Sequence, residues 1–243
     1  MTQLLGLPYS PWTERARWAL DVRGVAYEKR LYSPLLGEPG LRRKLGKWRG
    51  VVSVPVLTDD DGTVVADSIA IARWANERGA GTDLFPSELD AEIGKLIALA
   101  DRGLAAGRAL SLIRLLRDDE GLLEMVPRSL RKMPGARAIS AAGIRRTLRK
   151  YDGLRDEEAA RSALAGVLDE VRAALAGRPT LLGRFTYADI AVAQVLAFVE
   201  PPAFGLKIGA GTRRSFCDDV LSERYRDLVV WRDALYEAHR PRT

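Results

Sequence analysis

Cysteine and histidine are almost missing from this chain, which has one of each in 243 residues, Cys217 and His239. A single cysteine excludes an internal disulfide framework and a thiolate metal cluster built by one chain. Its plain reading is a small core hydrophobe. The lone histidine lies four residues from the end, in a charged tail. A Ser-His-Asp triad or a His-rich metal site therefore has almost nothing to build on, and no metal is expected. No uninterrupted apolar run approaches the roughly 20 residues that cross a bilayer. The N-terminus also lacks the basic, apolar and small-residue succession of a secretory signal. These absences lead us to expect a cytoplasmic protein with no membrane partner. Any chemistry must come from hydroxyls, backbone amides or a bound cofactor.

Acidic residues are missing from one stretch: none lies between Glu124 and Asp152, where the chain carries Arg128, Arg131, Lys132, Arg137, Arg145, Arg146, Arg149 and Lys150. This run contributes to a formal charge of +6. Such a charge could serve nucleic acid, acidic lipid or an anionic small molecule, and it does not choose among them. Solvated arginines on a helical face are the simpler account.

The apolar fraction of 47% can fill real cores. The first third alternates short strands with helical patterns. A strand at about residues 3–7 is followed by Ser10-Pro11, in which serine caps a helix and proline fits its first turn. Trp12, Ala16, Ala19 and Leu20 then recur at helical spacing, with a stop at Gly24. A second strand at about 26–31 completes a β-α-β unit, whose crossover implies parallel strands. After a short helix around 40–45 come strands at 55–57 and 64–65, separated by the turn cluster Asp59-Asp60-Asp61-Gly62. Asp67-Ser68 opens a helix that runs to about Arg78. The order β-α-β-α-β-β-α predicts one α/β domain over residues 1–79. Residues 80–86 read as a linker. From 88 to 243 every clear pattern is helical, at 88–117, 157–176, 187–199 and 228–238, which predicts an all-α C-terminal bundle.

Three local features resemble the glutathione transferase family. Ser10-Pro11-Trp12-Thr13-Glu14-Arg15-Ala16-Arg17 looks like the active-site turn of glutathione transferases and glutaredoxins. The cysteines that glutaredoxins place first and fourth are Ser10 and Thr13 here, so dithiol chemistry is lost. Val54-Pro55-Val56-Leu57 resembles the Val-Pro segment before the third strand, 45 residues after Ser10 and 13 before Ser68. Asp67-Ser68-Ile69-Ala70-Ile71 resembles the acid-serine pair at the start of the third helix. Thr186-Tyr187-Ala188-Asp189 matches the family's capping box, with Phe185 and Ile190 placed as a hydrophobic staple. The likeness is closest to cytosolic members with serine or cysteine at the turn, of omega, zeta, theta-like and bacterial type. It is specific over residues 3–79 and mostly architectural over 88–243.

The resemblance implies a thioredoxin-like N-terminal domain, glutathione as co-substrate, and an enzyme that transfers it to a small electrophile in detoxification. A helix N-terminus offers unpaired amides and the positive end of a dipole, which favour a thiolate. Ser10 would donate its hydroxyl hydrogen to that sulfur, with Tyr9 as the next candidate. A cis bond before Pro55 would turn the backbone of Val54 outward to pair with glutathione as an added strand. Ser68, with its own amide and that of Ile69, would receive the γ-glutamyl carboxylate, and Asp67 would approach the ammonium group. A homodimer is implied as well. Without that resemblance, Ser10 reads as a helix cap, Val54-Pro55 as an edge-strand proline and Asp67-Ser68 as a cap with an acidic neighbour. The stretch from about Leu110 to Asp156 departs from the family in length and charge, so substrate choice does not transfer. Two other classes remain open. One is a binding module that keeps the fold without turnover, its pocket filled by side chains of that stretch. The other is a nucleic-acid or acidic-partner binder using the basic run, whose affinity would fall steeply with salt.

Overall fold

Strand alternation sets the layering of the first third of the molecule. The structure, a computed structural model, describes residues 1–34, 36–151 and 156–242, with the side chain of Arg128 outside the description. Strands β1 (Gln3–Gly6), β2 (Glu28–Leu31), β3 (Val56–Thr58) and β4 (Val64–Ala66) form one sheet in the order β2-β1-β3-β4. β1 and β2 run parallel across helix α1 (Pro11–Val22), whereas β3 is antiparallel to both β1 and β4. Leu4 is paired with Leu57, and Leu5 with Val56. Successive side chains on a strand point to opposite faces. Leu4 and Leu57 therefore pack with Ala16 and Leu20 of α1 and with Ile71 and Trp74 of α3 (Ser68–Arg78). Val56 packs on the other face, with Val52 and with Leu41 of α2 (Glu38–Leu45). A mixed four-stranded sheet with helices on both faces is the thioredoxin-like arrangement.

Beyond Pro86 the described elements are helices: α4 (Asp90–Leu115), α5 (Asp119–Glu124), α6 (Ala136–Lys150), α7 (Glu157–Leu175), α8 (Tyr187–Ala193), α9 (Ala210–Phe216), α10 (Asp219–Arg224) and α11 (Arg226–His239). The long periodic segments fall where their spacing predicts, with one difference. The pattern over residues 187–199 is α-helical only to Ala193 and winds on as a 3-10 turn from Gln194 to Phe198. That turn lies hard against α4, where a β-carbon on Gly103 would stand 2.6 Å from Val195. Gly107, one turn on, admits the ring of Phe198 in the same way. Among the described residues no helix is long and apolar enough to cross a membrane.

Helix α1 belongs to both halves of the molecule. Its Trp18 sits in the large helical core and donates from Nε1 to the carbonyl of His239 at 2.9 Å. Arg15, 1% exposed, donates to Asp101 of α4 at 2.9 Å and to the hydroxyl of Ser68 at 3.0 Å. The hydroxyl of Tyr187 donates to the Ser68 carbonyl at 3.1 Å. At the head of α8, the buried carboxylate of Asp189 accepts the amides of Thr186 and Leu181, each at 2.8 Å. Phe185 and Ile190 lie in the same core, which agrees with the staple. Cys217 is half-buried at the end of α9, and burial pushes its thiol pKa up. His239 is stacked on Phe185 with ring centroids 4.0 Å apart. Neither residue lines the main cavity.

Candidate functional site

A cavity of about 640 Å³ opens between the thioredoxin-like part and helices α4 and α6. Its first wall is the turn at the head of α1, comprising Tyr9, Ser10, Pro11 and Trp12. Ser10 is the N-cap, and its hydroxyl oxygen accepts the Thr13 amide at 3.4 Å. The hydroxyl's own hydrogen has no acceptor among the described residues. Thr13 is turned away: it is 4% exposed and accepts the amide of Leu7 at 3.2 Å, so it is committed to the strand behind. Burial pushes the Tyr9 phenol up to about 12. Tyr9 thus stays protonated at neutral pH and keeps an O–H to donate.

Ser53 and Val54 form the adjoining wall, and the Val54–Pro55 bond is cis. The structure therefore brings Ser10 and Val54 to one cavity. Pro55, Asp67 and Ser68 do not line it. They are linked through the backbone, since the Asp67 amide donates to the Pro55 carbonyl at 3.2 Å. Asp67 adopts φ 74° and ψ 157°, a left-handed φ uncommon for a residue with a β-carbon. In that conformation its exposed carboxylate accepts the amides of Ile69 at 2.6 Å and Ala70 at 3.1 Å. The Ile69 amide is thus already engaged, and the expected pair of amides reduces to that of Ser68. Ser68 itself is 2% exposed, with its hydroxyl holding Arg15.

The third wall comes from the basic segment. On α6, Ser140, Ile144, Thr147 and the following Tyr151 recur at three- and four-residue spacing and line the cavity. Arg146 reaches across to Glu38 of α2 at 2.8 Å, and Lys150 donates to the Val52 carbonyl at 2.5 Å. A hydrogen bond from Arg42 is the main reason the Glu38 carboxyl pKa lies below its usual range. Elsewhere in the run, Arg131 donates to the carbonyls of Val126 and Glu124, and Arg137 pairs with Asp119 at 2.8 Å. Much of the charge is consequently spent on ties within the molecule. The cavity is not filled by these side chains.

Sequence reasoning missed Arg108. It lies in α4 and lines the cavity, with its guanidinium carbon 3.9 Å from the Tyr151 ring centroid and 4.9 Å from that of Trp12. The available signal was a lone cation in the apolar run Leu104–Ile113, with no acid three or four residues away on either side. Among the described residues no group of three or more His, Cys, Asp or Glu side chains is placed to hold a metal ion.

Comparison with known proteins decides the lineage. A model of the glutathione S-transferase N-terminal domain matches residues 9–78, and one of the C-terminal domain matches residues 137–234. The chain belongs to the glutathione S-transferase family. It is 39% identical over 93 residues to a probable glutathione S-transferase of Zea mays, a match covering 35% of this chain and 39% of that protein. A probable glutathione S-transferase of Solanum tuberosum is 32% identical over 91 residues, covering 35% of this chain and 38% of that protein. The chain thus spans about two fifths of the length of these curated relatives. Solved transferases match over nearly the whole chain. One is a glutathione S-transferase of Methylobacillus flagellatus KT with bound glutathione, at 19% identity and TM-score 0.59, covering 98% of this chain and 95% of that one. Another is a family member of Pseudomonas fluorescens Pf-5 with bound glutathione, at 20% identity and TM-score 0.61, covering 100% of both chains. At such identities the solved structures show the shared glutathione transferase fold.

Proposed function

We propose that this glutathione transferase family member is an active enzyme that binds reduced glutathione and transfers it to a small electrophile. The observation that carries this reading is the open cavity walled on one side by the Ser10 turn and on the next by Val54. Residues 1–79 would hold the tripeptide and residues 88–243 would shape the acceptor pocket. The cysteinyl sulfur lies at the head of α1, where unpaired amides and the helix dipole favour the thiolate. Ser10 supplies one hydrogen bond to that sulfur through its unengaged O–H, and Tyr9 is the alternative donor. The extended tripeptide pairs with the backbone of Val54 ahead of Pro55. Its γ-glutamyl end meets the Ser68 amide, which has no acceptor among the described residues, and the exposed carboxylate of Asp67.

This reading includes a cytoplasmic homodimer acting in detoxification, with sedimentation velocity as the check on the dimer. A module without turnover would show a pocket packed by side chains, and this cavity is open. Calorimetric titration with reduced glutathione tests the central claim. Micromolar to low-millimolar binding, weakened in Asp67→Ala and Ser68→Ala, is the expected result. Absence of binding would overturn it.

A further inference from the structure

Arg108 is placed like a receptor for an anion that the protein does not itself supply. Its guanidinium lies over the rings of Tyr151 and Trp12, and among the described residues no carboxylate pairs with it and no acceptor takes its N–H groups. An arginine held on aromatic faces presents its N–H edge as a planar fork, which matches the two oxygens of a carboxylate. Burial is the main influence on Arg108 and pulls its pKa down. The guanidinium nevertheless remains charged at neutral pH. In such a poorly solvated place attraction to an anion is stronger than in water.

The lining around it has the same sign. Arg146, Arg149 and Lys150 also border the cavity, against Glu38 as the acid. Much of the remaining wall is apolar, with Leu112, Leu115, Met125, Ile144, Phe198 and Phe216. Hydroxyls interrupt it at Ser111, Ser140, Thr212 and Ser215, and that of Ser140, 4% exposed, has no hydrogen-bond partner among the described residues. We propose that the electrophile is an amphipathic organic acid, with its carboxylate on the Arg108 fork and its apolar body against α4 and α6. This inference rests on the transferase reading, since it names the substrate class of the same cavity.

An aryl vinyl ketone that carries a carboxylate suits the geometry. The glutathione thiolate gives an electron pair to the terminal vinyl carbon, and the C–S bond forms as the C=C π bond breaks. The displaced pair moves onto the ketone as an enolate, and the α-carbon then takes a proton from water. Nothing is oxidised and no group leaves.

Ethacrynate and its neutral amide form a matched pair of probes. At saturating glutathione the wild-type protein should favour the acid over the amide in kcat/KM by roughly ten- to hundred-fold, the worth of a hydrogen-bonded charge. In Arg108→Gln the ratio should fall to about one, and Arg108→Lys should lie between. The ratio is internal to each variant, so loss of folded protein cannot mimic the effect. A wild-type ratio near one, or an unchanged ratio in Arg108→Gln, overturns the proposal. If neither probe turns over, calorimetry with the saturated, unreactive analogues decides. A preference for the acid that Arg108→Gln abolishes would keep the anion subsite while the transferase reading fails, and absence of that preference would overturn the subsite too.

Discussion

Arg240, near the end of the chain, donates from Nε to the Oε1 of Glu14 at 2.6 Å, and both side chains are fully enclosed. A second contact runs to Asp21 at 2.6 Å. Burial works against the charge on Arg240, but Glu14 and Asp21 more than offset it and raise its pKa. Glu14 lies in the first turn of α1, and its amide donates to the Ser10 carbonyl at 2.9 Å. The C-terminal segment thus braces the helix that carries the proposed catalytic serine. Removing one partner of a buried ion pair costs up to about 3–5 kcal/mol, a figure lowered here because Arg17 stays 3.1 Å from the second oxygen of Glu14. Arg240→Ala should lose stability on that scale in urea denaturation, and a loss below about 1 kcal/mol would contradict the bracing.

Ser10→Ala separates capping from chemistry. Loss of the cap should cost about 1 kcal/mol of stability. Loss of a hydrogen bond to a thiolate should lower turnover roughly ten- to hundred-fold and diminish the ultraviolet thiolate absorbance of bound glutathione at neutral pH. A variant with lowered stability but unchanged absorbance and rate would leave Ser10 as a cap and turn attention to Tyr9→Phe.

Asp67→Asn keeps an oxygen for the amides of Ile69 and Ala70 and tolerates the left-handed backbone. Its melting temperature should stay within a few degrees of the wild type. Glutathione affinity should fall in calorimetry, because the charge opposite the ammonium group is gone. Equal affinity in both proteins would remove Asp67 from the proposed site.

His239 should make stability depend on pH. Burial lowers its pKa below the ordinary 6.5, so the folded state favours the neutral ring stacked on Phe185. Below 6.5 the unfolded chain takes up a proton before the folded one does, so stability falls with falling pH until the folded pKa is passed. His239→Phe keeps an aromatic ring and removes this contribution. The difference between the two proteins in chemical denaturation should therefore change between pH 7 and pH 5, a window around the ordinary histidine pKa. A constant difference would count against it.

The β-α-β-α-β-β-α order was legible because alternation at period two and recurrence at three and four residues are local properties of the chain. Ser10 as a cap and the turn at Asp59 to Gly62 were legible for the same reason. α6 was hidden because its apolar stripe is thin, with Ala136, Ala141, Ile144 and Leu148 among arginines. The short helices α5, α9 and α10, six or seven residues each, offer too few turns for a period to register.

The sequence by itself determined the family and the two-part architecture, since each depends on neighbours a few residues apart or on the fixed order of motifs. Only the tertiary structure decided which side chains share a cavity. It turned Thr13 inward and left Ser10 at the opening, engaged the Ile69 amide with Asp67, and set Arg108 over Tyr151, which is 43 positions further along the chain. It also spent Arg146 and Lys150 on ties to Glu38 and Val52. The physical reason is that charge, burial and hydrogen bonding are settled between residues distant in the chain, where periodicity carries no information about partners.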